Sequence, residues 1–555
     1  MTWQPEVDEI EWRKQLAYRM GGEERIKDQH DRGKLTVRER IDALIDPGSF
    51  RERFVLAGSA VYEDGKLKDF VARRNVFGLA RLDGRPVVVT GDDYTARPAS
   101  GTAGVPRNTG GGGGGGTRSS GPDHMALQLK LPLVRLVDGF GADIRGTQGS
   151  GATHVPAMAW DTITAMMQEL PLVCIALGSI AGAPAALMAG NQFSVMVKGT
   201  SQVFAAGPPV VKRSLYLDID KEELGGYKIH ARASGLIDNE ADDEHDAFRQ
   251  VRRFLSYLPS NVYKMPPVQE CATDSPGRRD EALIDFMPRD RFKPYNPRKM
   301  IDLIVDKGSA FEIGRYYGGA QVTMFARMNG KPIGVLANDP MVHGGGMEAT
   351  AAQKLEKFVD LCDTFHLPIV NFADQPGFVV GPQAEKAGTL KQGARALTAI
   401  EQATIPWATV IVRRLYGVAG QAHQAHTRWV YRFAWPSAEW GSLPIEGGVA
   451  VAYRREIAAA ADPAKRQQEI EEELRALNSP WRTAEAFGIE DIIDPRETRP
   501  LLCRLIEAAQ GALRGDRGVR VQLDGARRIA RLCQSVPDSN KERSRPWSDA
   551  ASRSS

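Results

Sequence analysis

The chain of 555 residues contains two copies of one ordered set of short motifs. Each copy has an Asp-x-Gly-Ser turn, a Gly-x-Pro strand start, a Leu-Pro strand and an apolar run that ends in a glycine turn. The matched pairs are DPGSF (46–50) with DKGSA (306–310), DGRPVVV (83–89) with NGKPIGV (329–335), LPLVRLVD (131–138) with LPIVNFAD (367–374), and PLVCIALGSIAGAPA (171–185) with PWATVIVRRLYGVAG (406–420). Because four matches keep the same order, the sequence predicts tandem copies of one α/β unit in which short buried strands alternate with helices.

The last motif of the first copy lies within the segment 171–198, PLVCIALGSIAGAPAALMAGNQFSVMVK. Its pattern predicts a buried strand, a tight glycine turn, a closely packed helix and a second buried strand. Such a turn directs free backbone N–H groups at one point, an arrangement that suits a developing negative charge. A plain strand–helix corner with small residues for packing explains the same pattern, so this segment alone leaves both interpretations open.

Between the two copies, residues 258–298 are rich in proline, charge and turn formers, which makes this segment the candidate linker. The sequence therefore predicts an N-terminal domain over 1–275 and a C-terminal domain over 276–515. Beyond that point the chain is basic and polar, and we expect 516–555 to form a disordered tail.

One stretch interrupts the correspondence between the copies. The offset falls from 246 residues at Gly84 and Gly330 to 236 residues at Leu131 and Leu367, so the first copy carries ten extra residues. There the second copy has a helical pattern, whereas 98–123 of the first copy contains seven consecutive glycines and three prolines. Glycine and proline at this density do not sustain a helix, so the sequence predicts a loop. The loop is either an insertion that replaces the helix or a local reading-frame error in the coding sequence.

Composition and charge exclude several classes of protein. A net charge of +3 gives no argument for nucleic-acid binding. Five scattered cysteines without a CxxC pair argue against a zinc ribbon and are typical of a reducing compartment. The acidic start has no apolar h-region and no apolar run approaches about 20 residues, so we expect a cytoplasmic protein without a signal peptide or membrane span. His423 and His426 lie three residues apart with no third ligand in sight, and we expect no metal site.

Motifs along most of the chain resemble one family of enzymes. The segments that carry the resemblance are GGEERIKDQHDRGKLTVRERIDALIDPGSF, VVVTGDD, GSIAGAPAAL, FSVMVKGTSQVFAAGPPVVK, EELGGYKIHARASG, ANDPMVHGGGMEATAAQKLEKFVDLCDTFHLPIVNFADQPGFVVGPQAEKAG and AWPSAEWGSLPIEGG. They resemble the carboxyltransferase (beta) subunit of biotin-dependent acyl-CoA carboxylases, of which propionyl-CoA carboxylase is the best-known member. The resemblance covers about residues 15–515, apart from the glycine-rich loop.

The resemblance implies a fold, a reaction and two catalytic turns. The fold would be a tandem pair of crotonase-like α/β domains, and the reaction would move a carboxyl group from carboxybiotin to the alpha carbon of an acyl-CoA. Two oxyanions develop in that reaction, on the thioester oxygen and on the ureido oxygen of biotin, and each needs preorganised N–H donors. By position, the family's oxyanion holes correspond to Gly182 and Ala183 in the first copy and to Val418 and Ala419 in the second.

The resemblance and the positions of residues in the predicted elements together give a set of candidates for binding substrate and biotin, among which the turn at 343–345 could equally be required for packing. These are Ser179, Ala181, His343, Gly344, Gly345, Gln375, Pro376, Gly377, Phe378, Tyr416, Gly417 and Gln421. The run Tyr-Gly-Val-Ala-Gly-Gln at 416–421 departs from the propionyl type. Gln421 in particular indicates either an unusual acyl group or neutral drift at the rim of the pocket.

The implied partners follow from motifs that the sequence does not contain. It has no GxxxxGK[ST] phosphate loop and no biotinyl-carrier motif, so biotin is expected on a partner alpha subunit with biotin carboxylase and carrier domains. The family forms homo-hexamers of this subunit, with active sites between the N-domain of one protomer and the C-domain of another. Two alternatives stay open: a subunit of a biotin-dependent decarboxylase, which uses the same chemistry, and a non-catalytic hexamer scaffold, which a damaged loop at 98–123 would favour.

Overall fold

Two large β-sheets, one in each half of the chain, form the centre of the fold. The structure is a computed structural model that describes residues 2–96, 121–139, 160–270, 274–423, 430–515 and 517–519. The predictions made for the glycine run at 110–116, for His426 and for most of the 516–555 tail lie outside the described residues.

The first half of the chain supplies ten described helices and eleven strands. The helices are α1 (Gln4–Tyr18), α2 (Glu23–Asp31), α3 (Val37–Leu44), α4 (Pro122–Leu129), α5 (Trp160–Glu169), α6 (Ala183–Leu187), α7 (Pro208–Leu215), α8 (Lys221–Gly225), α9 (Tyr227–His230) and α10 (Glu244–Tyr257). The strands are β1 (Arg51–Glu52), β2 (Gly58–Glu63), β3 (Lys66–Ala72), β4 (Asn75–Leu82), β5 (Arg85–Asp92), β6 (Leu133–Val137), β7 (Leu172–Ala176), β8 (Ser179–Ala181), β9 (Phe193–Val197), β10 (Gln202–Phe204) and β11 (Asn239–Ala241).

The second half supplies ten described helices and eight strands. The helices are α11 (Pro297–Ile304), α12 (Ala349–Thr364), α13 (Pro382–Lys386), α14 (Thr389–Gln402), α15 (Gly417–Gln421), α16 (Ile445–Ala452), α17 (Arg454–Ala459), α18 (Pro463–Leu477), α19 (Pro480–Glu485) and α20 (Thr498–Gly515). The strands are β12 (Phe311–Glu312), β13 (Gln321–Met328), β14 (Lys331–Asn338), β15 (Ile369–Gln375), β16 (Trp407–Tyr416), β17 (Val430–Ala434), β18 (Glu439–Gly441) and β19 (Asp491–Ile492). Short 3₁₀ turns occupy Glu281–Leu283, His343–Gly345 and Pro495–Glu497.

The two large sheets have the same topology. The first has the strand order β1-β4-β5-β6-β7-β9-β11, and the second has the order β12-β13-β14-β15-β16-β17-β19. In both sheets the first three strands pair antiparallel and every later pair is parallel. Parallel strands covered on both faces explain why these segments are continuous apolar runs in the sequence. The predicted duplication of one α/β unit is therefore present in the fold.

An aspartate closes the same turn in each half. The carboxylate of Asp46 accepts N–H donors from Asp83 at 3.0 Å and from Gly84 at 2.7 Å, in the turn between β4 and β5. The carboxylate of Asp306 accepts from Asn329 at 3.0 Å and Gly330 at 2.7 Å in the turn between β13 and β14. Both turn positions need a backbone with positive φ, which glycine supplies without strain at the second residue. The repeated Asp-x-Gly-Ser motif thus has a structural cause.

The segment 171–198 differs in one detail from the prediction. Residues Ser179–Ala181 form a further short strand, β8, which pairs in parallel with β10, so the turn itself begins at Gly182. In the second half, β16 runs on through the corresponding residues and pairs there with β18. Each turn therefore projects from a strand end that a second short strand holds in place.

The two halves share one hydrophobic core. Phe193 of β9 stacks on Phe254 of α10 with ring centroids 4.4 Å apart, and Phe254 lies 5.5 Å from Phe325 of β13. Phe325 in turn contacts Phe358 of α12 at 5.6 Å. Because these rings connect the two sheets, the halves are packed together as one compact unit up to residue 519. The domain boundary at 275/276 stays a prediction.

The connecting segment 258–298 is anchored where it passes the second half. Asp274 is 2% exposed, and its carboxylate accepts from the Arg278 guanidinium at 2.7 Å. Arg499 of α20 donates to the Asp274 carbonyl at 3.3 Å and to the Asp306 carboxylate at 2.8 Å. The predicted linker is thus tied to the same aspartate that closes the β13–β14 turn.

Candidate functional site

The glycine turn of the first half begins helix α6. Gly182 has φ +71° and ψ −132°, a conformation that L-residues with a Cβ rarely adopt. Its N–H donates to the Phe204 carbonyl at 3.3 Å and so extends the pairing of β8 with β10. Among the described residues the next N–H, that of Ala183, has no acceptor, because it opens the first turn of the helix. Ala183 rather than Gly182 therefore offers the free donor.

The glycine turn of the second half has the same construction. Tyr416 is the last residue of β16 to pair with β18, and Gly417 follows with φ +63°. The N–H groups of Val418 and Ala419 open the first turn of α15 without an acceptor among the described residues. The Val418 side chain is half exposed, whereas Ala419 is buried. Of the two donors, the N–H of Val418 thus belongs to a residue at the surface, whereas that of Ala419 belongs to an enclosed one.

The register of the strands aligns the two turns residue by residue. Ala181 pairs with Phe204 in the first half, and Tyr416 pairs with Gly441 in the second. Gly182 and Gly417 each come one residue later, so Ala183 corresponds to Val418. The pair inferred from the sequence for the second turn, Val418 and Ala419, lies one position later than the pair inferred for the first. Ala183 and Val418 therefore occupy equivalent positions in the two turns, and both were predicted as donors from the sequence.

A buried carboxylate lies beside the second turn. Asp374, at the carboxyl end of β15, accepts from Arg413 Nη2 at 2.7 Å and from Arg414 Nε at 2.7 Å. Burial opposes ionisation of Asp374, but the hydrogen bonds and charges of both guanidinium groups hold its pKa below the usual value. Arg413 also stacks over Tyr295, 4.9 Å from the ring centroid. Asp374 is therefore a charged anchor at neutral pH rather than a proton acceptor.

Arg414 connects this anchor to the 3₁₀ turn at 343–345. Its Nη2 donates to the Gly344 carbonyl at 2.8 Å, while His343 Nε2 lies 3.2 Å from the Glu348 carboxylate. A Cβ on Gly345 would lie 3.0 Å from the Asp374 carbonyl oxygen, so only glycine fits the close approach without a shift. The structure thus brings the candidate residues of β14, β15 and β16 together at one edge of the sheet.

Gln375 is the buried side chain of this edge with an unused donor. Its Oε1 accepts from the Gly377 N–H at 3.1 Å, but its Nε2 has no partner among the described residues. The loop that follows is held by the N–H of Met347 to the Gly377 carbonyl and the N–H of Val379 to the Met347 carbonyl, both at 3.0 Å. A buried amide without a partner is costly, so this donor requires a partner that the described residues do not supply.

A buried network supports the second turn from below. His423, two residues after α15, accepts at Nδ1 from Asn371 Nδ2 at 2.8 Å. Its carbonyl accepts from Trp407 Nε1 at 3.3 Å and from the Thr409 hydroxyl. Burial lowers the pKa of His423 to about 4, so the ring is neutral at physiological pH. His423 thus fixes the end of the turn helix to the middle of the sheet.

The first half has its own buried carboxylate, Asp138, directly after β6. Its Oδ2 accepts from Lys34 at 2.7 Å and from Arg40 Nη1 at 2.8 Å, and Arg40 also pairs with Glu244. A Cβ on Gly178 would lie 1.8 Å from Asp138 Oδ1, so glycine is required where β7 ends. Burial lowers the pKa of Lys34 against the opposing pull of Asp138. The cluster fixes the strand end that leads into Ser179 and the first turn.

The structure does not bring all of the predicted site residues into contact. Within the described residues no hydrogen bond or ion pair joins the turn at 179–183 to the turn at 416–421. The Ser179 hydroxyl donates to Gln202 at 2.8 Å and so holds β8 against β10. The described ranges contain no group of three or more His, Cys, Asp or Glu side chains arranged to hold a metal ion. None of the described helices is long and apolar enough to cross a membrane.

Arg413 and Arg414 are not among the site residues predicted from the sequence. A signal was present, because two adjacent arginines interrupt the apolar run of β16 and buried arginines need a paired anion. The sequence did not show that the anion would be Asp374, about 40 positions away on the neighbouring strand.

Comparisons with known proteins agree with this geometry. Residues 28–519 match the Carboxyl transferase domain. The carboxyltransferase subunit of propionyl-CoA carboxylase from Haloferax mediterranei is 32% identical over 503 residues, 90% of this chain and 95% of that protein. Methylmalonyl-CoA decarboxylase subunit alpha from Veillonella parvula is 31% identical over 485 residues, 86% of this chain and 91% of that protein. Transcarboxylase 12S, solved with methylmalonyl-coenzyme A and methylmalonic acid bound, matches with a TM-score of 0.81 at 31% identity over 94% of this chain and 98% of that one.

The duplicated sheets, each with a glycine turn beyond a strand end, define a carboxyltransferase of the tandem crotonase-like fold. The chain belongs to the carboxyl transferase family. It is an enzyme subunit of the kind found in biotin-dependent carboxylases and in transcarboxylase. The predictions of family, fold class and enzyme class are confirmed.

Proposed function

We propose that the protein transfers a carboxyl group from carboxybiotin, carried by a partner subunit, to the alpha carbon of an acyl-CoA. The turn at Gly182–Ala183 would hold the thioester oxygen, and the turn at Gly417–Ala419 would hold the ureido oxygen of biotin. The observation that carries the proposal is the pair of equivalent turns, each with a free N–H at Ala183 or Val418.

The first turn would stabilise the negative charge that develops on the substrate. Removal of the alpha proton from an acyl-CoA places negative charge on the thioester oxygen as an enolate. The Ala183 N–H stands at the start of α6 and has no competing acceptor among the described residues, so it can donate without prior reorganisation. Donors of this kind typically contribute roughly 3–4 kcal/mol each to stabilisation of an oxyanion transition state.

The residues at the second turn fit the biotin ring system. When bound, carboxybiotin supplies the carboxyl group and leaves a ureido group able to take the alpha proton. The free Nε2 of Gln375 and the N–H groups of Val418 and Ala419 would hold the oxygen atoms of that group. Asp374 is saturated by Arg413 and Arg414 and so would not compete for the proton.

Partners and substrate range extend the proposal. Transcarboxylase 12S assembles as a hexamer, and we propose the same assembly for this chain, with the first turn of one protomer facing the second turn of its neighbour. We propose an alpha subunit with biotin carboxylase and carrier domains as the source of carboxybiotin. The exposed Val418 side chain and the exposed Gln421 would border the acyl group, in line with an acyl chain other than propionyl.

A decarboxylase is the second candidate. The relative from Veillonella parvula is a subunit of methylmalonyl-CoA decarboxylase, and the two directions share the same oxyanion chemistry. In that case the same turns would hold the same two oxygens while the carboxyl group leaves the acyl-CoA. The partner subunit rather than this chain would then decide the direction.

The test is purification of the chain with its partner subunit and an assay of ATP-dependent fixation of labelled bicarbonate over a series of acyl-CoAs. We expect fixation with at least one short acyl-CoA and none without the partner. Release of carbon dioxide from a 2-carboxyacyl-CoA without ATP-dependent fixation would favour the decarboxylase. Activity in neither direction, with the hexamer intact, would leave only the scaffold and would refute the proposal.

A further inference from the structure

A cavity of about 170 Å³ lies between the two halves, away from both glycine turns. The first half contributes Ile237 and Asp238 to its wall, and the second half contributes Ile313, Phe358 and Leu361 among others. An engineered cavity of about 150 Å³ binds benzene, so this space admits a group of up to about six non-hydrogen atoms. Neither the family nor the proposed reaction assigns it a role.

Lys354 of α12 is the one strongly buried amine of this wall. It is 7% exposed, and its Nζ donates to the Gly314 carbonyl at 2.8 Å. No carboxylate among the described residues lies within 4 Å of Nζ, in contrast to Lys357 one helical turn later, which pairs with Asp238 at 2.5 Å. Burial lowers the pKa of Lys354 to about 7, so a large share of the amine is neutral at physiological pH.

The charged groups around Lys354 already have partners. Arg298 donates to Glu312 at 2.5 Å and to Asp339 at 2.5 Å, and Glu348 lies 3.2 Å from His343. The surroundings carry more carboxylates than cations, which disfavours an anionic group inside the cavity, so the charged part of an acyl donor would remain outside it. The apolar wall and the neutral amine favour an uncharged, short aliphatic electrophile instead.

We propose that Lys354 is a covalent acceptor for short acyl groups delivered by acyl thioesters. The Nζ lone pair attacks the thioester carbonyl carbon, the carbon–sulfur bond breaks, and the departing thiolate takes up the proton that the nitrogen loses. The products are an N-acyl lysine and free thiol. The acyl chain then occupies the space between Ile237 and Phe358, and the amide N–H can still donate to Gly314. The step needs neither biotin nor a partner subunit, so it stands apart from the proposed carboxyl transfer.

The test incubates the full chain with propionyl-CoA over a range from about pH 6 to pH 9 and measures acylation of each lysine by peptide mass spectrometry. Lys357 is the matched control, since it lies on the same helix and is exposed. At about pH 7.5 we expect Lys354 to be acylated at least roughly 10-fold faster than Lys357, because burial keeps a large share of the Lys354 amine neutral and the cavity holds the acyl group beside it. The rate at Lys354 should level off just above pH 7.

The length of the acyl chain provides a second test, which depends on the volume of the cavity rather than on the protonation of the amine. Acetyl-, propionyl- and butyryl-CoA should acylate Lys354, and palmitoyl-CoA should not, because its chain exceeds the volume available. In denaturant the preference for Lys354 over Lys357 should vanish. Acylation of Lys354 no faster than that of Lys357 in the folded chain, or equal reaction with palmitoyl-CoA, would overturn the proposal.

Discussion

Asp138 and Asp374 occupy the same place in the two halves, 236 residues apart, and each is neutralised by two basic side chains. Asp138 follows β6 and pairs with Lys34 and Arg40, whereas Asp374 is the penultimate residue of β15 and pairs with Arg413 and Arg414. The partners differ in sequence position, but the result is the same: a charged strand end beside a glycine turn. Both halves therefore have the buried aspartate, whereas the basic residues that pair with it come from different positions in the chain.

The first prediction concerns the anchor in the second half. Asp374→Asn leaves the buried Arg413 and the partly buried Arg414 without their shared counter-charge, and we expect the unfolding free energy to fall by about 3–5 kcal/mol. Urea unfolding followed by circular dichroism measures this change. Asp28→Asn, which removes an exposed i,i+4 pair with Arg32, is the control and should cost at most about 0.5 kcal/mol. Equal effects of the two substitutions would contradict the buried anchor.

The second prediction concerns the stability of the protein at acid pH. The pKa of Asp374 is below its usual value in the folded protein, so its contribution to stability is fully present above the unfolded value of about 3.9. That contribution is lost as the pH falls through the lower, folded pKa. Asp374→Asn should therefore unfold with a weaker pH dependence than the wild type in acid, measured by the urea midpoint at a series of pH values. An unchanged pH dependence would show that protonation of Asp374 does not cause the loss of stability in acid.

The third prediction separates backbone from side chain at the second turn. Gly417→Val forces a β-branched residue to φ +63° and displaces the N–H groups that follow, so we expect carboxyl transfer to fall by roughly 100-fold or more. Val418→Ala keeps the N–H and removes only a half-exposed side chain, so turnover should stay within about 3-fold of the wild type. Size-exclusion chromatography must show the same oligomer for both variants. If Val418→Ala is as inactive as Gly417→Val, the backbone assignment is wrong.

The fourth prediction uses the free amide of Gln375. Gln375→Met keeps the volume of the side chain but removes the Nε2 donor together with the Oε1 acceptor of the Gly377 N–H, and we expect kcat/KM for the carboxybiotin carrier to fall by about 10-fold or more, equivalent to about 1.4 kcal/mol. The KM for the acyl-CoA should not change, because that substrate is assigned to the other turn. Steady-state kinetics with each substrate varied in turn provides the measurement. A rise in the KM for the acyl-CoA alone would contradict the assignment of Gln375 to the biotin site.

The sequence predicted the duplication and both turns because their causes are local. The Asp-x-Gly-Ser motif closes a turn through backbone contacts of Asp46 and Asp306, and positive φ at Gly182 and Gly417 is a property of glycine itself. Such features can be recognised in the sequence from the type and spacing of the residues.

The long-range contacts were beyond the reach of the sequence. The Phe204 carbonyl takes the Gly182 N–H only because β10 returns to pair with β8, and this pairing moves the free donor to Ala183. Lys354 lies in a helical pattern where a lysine is normally solvent-exposed, and only the packing of α12 against the first half buries it. Such outcomes depend on which elements meet, and no single segment of the sequence encodes them.

The last prediction concerns the cost of burying Lys354. Its pKa is about 7 in the folded protein and about 10.4 in the unfolded chain, so between these values the unfolded state binds one more proton. The unfolding free energy should therefore rise with pH from about 7 to about 10, by up to roughly 4 kcal/mol from this group. Lys354→Met removes the titrating amine, so it should stabilise the protein at neutral pH and flatten this rise.

The measurement is urea unfolding at a series of pH values across that range, with Lys357→Met as the control. Lys357 is partly exposed and pairs with Asp238, so its replacement should leave the rise with pH in place. If Lys354→Met keeps the full pH dependence, the amine is charged in the folded state and the argument from burial fails. If the rise disappears, the folded protein holds Lys354 as a neutral amine, which is the form that an acyl thioester requires.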